Sequence, residues 1–361
     1  MVGLLVSDQF IIQSHTGPYR VNFDEDGIAK LNDAPPRNTH IIADAHVAEL
    51  YANELENVLS LPSVLRIDAV ESNKSLECMP SYVDHLVRHR IRRDHTLLAI
   101  GGGIIQDITC FLAATLLRGV EWQFMPTTLL AQADSCIGSK SSINSGGTKN
   151  ILGTFTPPRQ ITLTTRFLGT LDERDVRSGI GEMIKVHAID GPETFDRMAA
   201  DFDQLQENRE LLLKRLRKAL EVKRAYIEDD EFDRGPRNIF NYGHSFGHAI
   251  EAATEFAIPH GISVTIGMDM ANAAAVHFDV SSDYHRQRMK PVLATNYRGF
   301  EKTEIPLEPF IEAISRDKKN TGGKQLTLIL PDRDGRIAKG VYPNDDGFAS
   351  FCAGYLASGR Q

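Results

Sequence analysis

The chain is 361 residues long, room for about two domains. With 42% apolar and 24% charged residues it has the balance of an ordinary globular protein, and a net charge of −8 gives no general attraction for nucleic acid. Four scattered cysteines without C-x-x-C spacing argue against a disulfide framework or a thiolate zinc site and fit a reducing cytoplasm. The apolar run "TLLAIGGGIIQDI" is too short and too glycine-rich to span a bilayer. The start "MVGLLVSDQF" lacks the basic region and long apolar stretch of a signal peptide.

In chain order, "THIIADAHVAELYANELENVL" predicts a short buried strand, an Asp-containing turn and an amphipathic helix. "VLRIDAV" and "SLECMPSYVDHLVRHRI" read as a second strand and helix, and "TLLAIGGG" and "IIQDITCFLAATLLRG" as a third pair. "EWQFMPTT" adds a strand. This alternation predicts an α/β fold with a Rossmann-like parallel sheet. "DSCIGSKSSINSGGTKN" reads as a polar loop leading into a buried or semi-buried continuation, "ILGTFTPP". From about Leu171 the segments "DERDVRSGIGEMIKVHAI", "PETFDRMAADFDQLQENRELLLKRLRKALEVKRAYIEDD" and "HSFGHAIEAAT" are helix-periodic, and only "KQLTLILP" again reads as a strand. The expected organisation is a dinucleotide-type α/β domain over 1–165 and a mainly α-helical domain over 166–361.

Three features carry chemistry. Gly101, Gly102 and Gly103 stand between a strand and a helix, where backbone N–H groups can approach a pyrophosphate; the spacing is not G-x-G-x-x-G, and a tight turn alone would explain it. Asp44 after the first strand could bind a ribose hydroxyl or serve as an N-cap, and "PTT" places Thr127 and Thr128 at a strand end. The loop with Lys140, Lys149 and Asn150 suits phosphate or carboxylate recognition or a solvated surface, and Glu182 and Lys185 lie at i, i+3 on a helix. Finally, "FNYGHSFGHAIEAATEFAIPHG" holds His244 and His248 four apart, on one helix face, with His260 beyond a helix-breaking Ile-Pro pair. Such a pair also occurs on surfaces and in satisfied cores.

Taken together, "GGGIIQD", "LRGV", "PTTLLAQADS", "KN", "LDERDVRSGIGEMIK", "RNIFNYGHSFGHAIE", "PHG" and "DKKN" resemble the dehydroquinate synthase family of sugar phosphate cyclases, from about Thr39 to Leu330. The resemblance implies a lyase that uses NAD and zinc, with cobalt able to substitute, to oxidise a sugar phosphate transiently, eliminate phosphate, return the hydride and close a carbocycle. It places the metal on Glu182, His244 and His260, and gives His248 to the substrate phosphate with Arg118 (from a homodimer partner), Asn150, Lys185, Asn241 and one of Lys318 and Lys319. It gives the substrate carboxylate to Lys140, Lys223 and Arg237, with Asp134 near the ring hydroxyls. It lines the NAD site with Asp44, Glu71, Lys74, Gly102, Gly103, Asp107, Thr127, Thr128, Lys149 and Thr170. The chain departs from the family pattern at Gln106, where glycine is usual, at Ser139, Ser141 and Ser142 around Lys140, at Asp233 and at Ile262. The three cations favour a carboxylated substrate, 3-deoxy-arabino-heptulosonate 7-phosphate, over the heptulose or hexose phosphates of sibling cyclases. The resemblance further implies a cytoplasmic homodimer with no nucleic-acid or membrane partner. The competing expectations are a metal-dependent polyol dehydrogenase of the glycerol dehydrogenase type, which would accumulate NADH, and a non-catalytic paralogue.

Overall fold

The computed structural model describes residues 9–315 and 324–360. The chain divides into two units: one runs to Leu171 and takes in Lys223–Phe232, the other comprises Asp172–Val222 and the chain from Asp233.

The first unit contains β1 (Gln9–Ile12), β2 (Tyr19–Phe23), β3 (Thr39–Asp44), β4 (Leu65–Ile67), β5 (Thr96–Gly101), β6 (Glu121–Pro126), β7 (Lys140–Ser145), β8 (Thr148–Phe155) and β9 (Gln160–Leu163). Seven of them form a sheet in the order β1-β2-β9-β6-β5-β3-β4. All neighbours are parallel except β1 with β2. Its helices are α1 (Gly27–Asp33), α2 (Ala45–Leu50), α3 (Glu56–Leu59), α4 (Met79–Arg88) and α5 (Gly103–Thr115). β3 and β5 are buried along nearly their whole length, as strands of a parallel sheet are when both faces are covered. Ile41, Ala43, Leu98 and Ile100, alternate residues on one face, join Leu55, Val58 and Phe167 in the core. From β3 the chain steps to β4 at the sheet edge, then crosses back to β5 on the other side of β3. That reversal opens a crevice at the carboxyl ends of β3 and β5, the place where such sheets bind ligands.

The α/β reading of this unit holds, and several elements differ in detail. The helix expected after β3 is interrupted between α2 and α3 by a turn at Tyr51–Leu55. The polar loop is a hairpin, β7 with β8, turned by Gly146 (φ 54°) and Gly147 (φ 78°). Two consecutive positive φ angles are what a type I′ hairpin turn requires. The segment expected as a buried or semi-buried continuation begins in β8 and alternates exposed with part-buried residues before reaching the buried Pro158. β1, β2 and β9 are further strands beyond those read from the sequence.

The second unit is mainly helical: α6 (Glu173–Ile189), α7 (Pro192–Asp201), the first part of α8 (Arg209–Asp229), α9 (His244–Ala253), α10 (His260–His277), α11 (Asp283–Asn296), α12 (Leu307–Ser315) and α13 (Asp346–Gly354). Asp172 caps α6 by accepting from the Asp175 N–H at 2.8 Å. α10 is buried without a break from Gly261 to Ala275 and packs on α6, α9 and α11, so over that stretch it has no solvent face, although Ser263, Thr265, Asp269 and Asn272 are among its buried residues. The expected C-terminal strand is β10 (Gln325–Pro331), and it pairs antiparallel with β11 (Ile337–Pro343), which the sequence reading lacked. Among the described residues no helix is long and apolar enough to cross a membrane.

Candidate active site

Within the helical unit, three helices meet at glycines. A Cβ on Gly181 of α6 would fall 2.2 Å from the Gly261 carbonyl oxygen, and one on Gly261 would fall 1.8 Å from the Ser178 carbonyl oxygen. No larger residue fits, so α6 and the start of α10 touch backbone to backbone. Each of these glycines adjoins a predicted ligand: Glu182 follows Gly181, and His260 precedes Gly261 and opens α10. His244 opens α9 directly after Gly243, which is left-handed at φ 76°.

The close approach brings Glu182 Oε1 to 3.3 Å from His260 Nε2 and 3.7 Å from His244 Nε2. Its other oxygen, Oε2, is 2.5 Å from Lys185 Nζ, and both of these side chains are 1% exposed. The rings of His244, His248 and His260 form a triangle with centroids 5.2, 5.4 and 5.7 Å apart. Each ring offers a nitrogen within 4.8 Å of the other two. His244 Nδ1 is 3.3 Å from the Tyr242 carbonyl oxygen, and His260 Nδ1 is 3.2 Å from both oxygens of Glu251. A carbonyl only accepts, so Nδ1 of His244 carries the proton and leaves its Nε2 lone pair facing Glu182.

The residues fit a divalent metal. Donor atoms of a tetrahedral site with bonds of 2.0–2.1 Å lie roughly 3.3–3.4 Å apart, close to the two separations from Glu182 Oε1. The electrostatics agree. Burial alone would raise the Glu182 pKa, yet Lys185 and His260 hold it well below the usual carboxylate range. Burial works against charge on His260 too, but Glu182 on one side and Glu251 on the other push its pKa up to about 10. The two carboxylates thus favour a positive charge at this point. Three imidazoles could form a ligand set by themselves. The buried Oε1, aimed at two Nε2 atoms, favours Glu182, His244 and His260, with the exposed His248 beside them.

Of the other residues expected here, Asn241 donates from Nδ2 to the Asn238 carbonyl at 2.9 Å, and Arg237, on the turn Pro236–Asn241, is 8% exposed. Lys318 and Lys319 lie outside the described residues.

In the sheet unit, the carboxyl ends of β3 and β5 carry Asp44 and the glycine turn. Asp44 caps α2, accepting from the His46 N–H at 3.0 Å, and burial raises its pKa against that bond. A Cβ on Gly102 would sit 3.0 Å from Thr128 Cγ2, whereas one on Gly103 would meet nothing nearer than Ser135 Oγ at 3.9 Å. The turn is therefore tight at Gly102 and open at Gly103, as a backbone cradle for a pyrophosphate needs. Lys74 Nζ joins Glu71 (3.3 Å), Asp107 (3.2 Å) and Asn150 Oδ1 (2.9 Å) in one network. Burial lifts the Asp107 pKa to about 6 against the pull of Lys74. Thr127 is buried, and Thr170 Oγ1 lies 3.1 Å from the Tyr51 hydroxyl. Lys140, Lys149 and Arg118 are exposed, and Arg118 sits at φ 68° in a left-handed pair with Leu117.

Asp134 lies in a π-helical turn, Ala131–Ser135, a local feature frequent at functional sites. Its Oδ1 is 2.7 Å from Lys223 Nζ, which also donates to the Asp134 carbonyl. Gln106, the departure from the glycine pattern, points at this turn: its Nε2 donates to the Ser135 carbonyl at 2.6 Å, and Ser135 Oγ donates to its Oε1 at 2.7 Å. The sequence reading noted Gln106 as a departure from glycine and did not anticipate this brace. It also passed over Asn144, which donates to Glu71 Oε1 at 2.9 Å and accepts from the Asn150 N–H at 2.9 Å. Glu251 was missed as well, although His244, His248 and Glu251 fall at i, i+4 and i+7 on one face of α9.

Comparison with known proteins places most of the chain beside one family. Residues 64–178 match the family model for the 3-dehydroquinate synthase N-terminal region, and residues 179–320 match that for the 3-dehydroquinate synthase C-terminal region. A 3-dehydroquinate synthase of Dehalococcoides mccartyi is 32% identical over 339 residues, covering 91% of this chain and 94% of the relative. Among solved structures, ValA, a 2-epi-5-epi-valiolone synthase of Streptomyces hygroscopicus with NAD+ and Zn2+ bound, superposes with a TM-score of 0.81 at 26% identity, covering 94% and 96% of the two chains. A 2-deoxy-scyllo-inosose synthase complexed with carbaglucose-6-phosphate, NAD+ and Co2+ shares the fold at a TM-score of 0.81 and 21% identity, covering 96% and 99%.

Proposed function

Since the chain belongs to the 3-dehydroquinate synthase family, we propose that it is an NAD- and divalent-metal-dependent lyase, with zinc as the metal. Its substrate is the carboxylated sugar phosphate 3-deoxy-arabino-heptulosonate 7-phosphate, from which it eliminates phosphate and closes a carbocycle. The observation that carries the reading is the convergence of a buried carboxylate with two imidazole Nε2 atoms, at 3.3 and 3.7 Å. A metal held there would supply a Lewis acid that lowers the pKa of a substrate hydroxyl, and NAD would supply a reversible hydride acceptor.

The chain's own residues bind and orient. Lys185 keeps Glu182 ionised, and the Nδ1 acceptors of His244 and His260 hold both rings in the ligating tautomer. Phosphate recognition falls to Lys185, Asn241 and His248, with Arg118 from a second copy, Asn150 and one of Lys318 and Lys319. Lys140, Lys223 and Arg237 supply fixed positive charge for the carboxylate. Lys223 is already paired with Asp134, so substrate binding would divide that ammonium between two anions while Asp134 turns to the ring hydroxyls. The NAD reading is supported by the sheet reversal and by the glycine turn open at Gly103.

A second reading, a sibling cyclase acting on a carboxylate-free sugar phosphate, is favoured by the likeness to the valiolone and inosose synthases. Arg237 separates the two. Its planar guanidinium grips a carboxylate through two parallel hydrogen bonds that a lysine copies poorly. On the carboxylated substrate, Arg237→Lys is expected to lose on the order of 1.5–3 kcal/mol of charge-assisted bonding, or one to two decades in kcat/KM. A wild type that prefers a neutral heptulose or hexose phosphate, barely altered by this substitution, would establish the sibling reading instead.

A further inference from the structure

Glu251 has no part in the reaction described above, yet it is a carboxylate placed at a cost. It lies in the third turn of α9 and is 8% exposed. Among the described residues the one hydrogen-bond partner of its carboxylate is His260 Nδ1, 3.2 Å from each oxygen. No lysine or arginine forms a salt bridge with it among those residues, although Glu182 has Lys185. A buried carboxylate is expensive unless it is hydrogen-bonded or paired, and here it is directed wholly at one imidazole nitrogen.

The two candidate histidine ligands are held in the same way but not by equal partners. His244 Nδ1 faces a neutral carbonyl, that of Tyr242, at 3.3 Å, whereas His260 Nδ1 faces a full negative charge. The difference follows from the backbone around each ring. His244 follows Gly243, and the chain folds back so that the Tyr242 carbonyl comes within reach. His260 follows Pro259 at the start of α10, and the Pro259 carbonyl is taken by the Ser263 N–H at 2.9 Å. Its ring is also the more exposed, 35% against 13% for His244, so packing holds it less firmly.

We propose that Glu251 is the positioning residue of the metal centre: it fixes the tautomer and plane of His260 and raises the donor strength of Nε2 toward the cation. The proposal rests on the Glu182–His244–His260 reading. It predicts that metal affinity, rather than folding, suffers when the carboxylate is lost. Outer carboxylate partners of this kind are worth roughly 10–100-fold in metal affinity.

The test uses the full chain stripped of metal, with no substrate present. Zn2+ affinity is measured by competition with a chromophoric chelator, and the Co2+-loaded protein is followed by its visible d–d absorption. Glu251→Gln keeps the size and an acceptor oxygen but loses the charge, and is expected to weaken Zn2+ binding about tenfold. Glu251→Ala is expected to weaken it toward the upper end of that range and to change the intensity of the Co2+ band, because the ring is free to rotate. The metal-free melting temperature of Glu251→Gln should stay near that of the wild type. Unchanged affinity and an unchanged Co2+ spectrum in Glu251→Gln and Glu251→Ala would overturn the proposal, and so would a Glu251→Gln variant that loses metal-free stability while binding Zn2+ normally. A wild type that binds neither ion would overturn the metal reading itself, a result distinct from failure of the variants.

Discussion

At the scale of single residues, the departures from the family pattern are the most informative. Gln106 replaces a usual glycine, and its amide makes two hydrogen bonds with Ser135, the residue after Asp134. The bonds tie helix α5 to the π-helical turn that presents Asp134. Gln106→Ala is expected to destabilise the protein by about 1–3 kcal/mol, because it leaves Ser135 groups unpaired beneath the surface. It should also lower kcat/KM by loosening Asp134, and chemical denaturation alongside steady-state kinetics would show both effects. Equal stability with wild-type kinetics would mean that the amide is a spectator. Ile262, by contrast, is fully buried in α10 and behaves as a core residue. Asp233 accepts from Asn238 Nδ2 at its carbonyl (3.1 Å) and its Oδ1 (3.2 Å), which accounts for it locally.

At the scale of elements, the site depends on how closely helices approach. The Gly181–Gly261 contact sets the distance between Glu182 and His260, so Gly261→Ala should force α6 and α10 apart. With a methyl carbon 1.8 Å from the Ser178 oxygen, relief requires backbone movement, and a loss of about 3 kcal/mol or more is expected together with weakened metal binding. Wild-type melting and metal affinity in that variant would contradict the interlock. The same helices show what a sequence can reveal. α6, like α9, followed from apolar periodicity, whereas α10, buried on every side, was not singled out, and the candidate ligands followed from the family motifs. The glycine contacts did not, because close approach is a property of pairs distant in the chain. The β7–β8 hairpin was legible in principle, since Gly146-Gly147 is a favoured hairpin turn. Its strands are rich in Ser, Asn and Lys instead of β-branched residues, and that composition reads as loop. β1 and β9 have only four residues each, too few for alternation to stand out, and β11 pairs locally with β10 with few buried positions of its own.

At the scale of the whole molecule, each unit buries a histidine in neutral form. In the sheet unit, burial first, then His95, His89 and His85, pull the His40 pKa down to about 4. In the helical unit, burial first, with Arg215 and Lys218 adding to it and Met183 and Asp190 opposing, takes His187 to about 4. Unfolded histidines titrate near 6.5. Between pH 6.5 and 4 the unfolded chain therefore binds more protons than the folded one, so stability rises with pH across that window and is lost as pH falls. Each ring contributes on the order of 2–3 kcal/mol to that loss. Urea unfolding at pH 7 and pH 5 should show it, with a shallower dependence in His187→Gln; an identical slope in the variant would contradict the assignment.

The central claim is that this chain runs a closed redox cycle on a carboxylated sugar phosphate. Its most direct test is to incubate the purified protein with NAD+, Zn2+ and 3-deoxy-arabino-heptulosonate 7-phosphate, following phosphate, cyclic product and NADH together. The expected result is one phosphate released per carbocycle formed, with no accumulation of NADH. Steady NADH formation from a simple polyol, or phosphate release from carboxylate-free sugar phosphates alone, would contradict it.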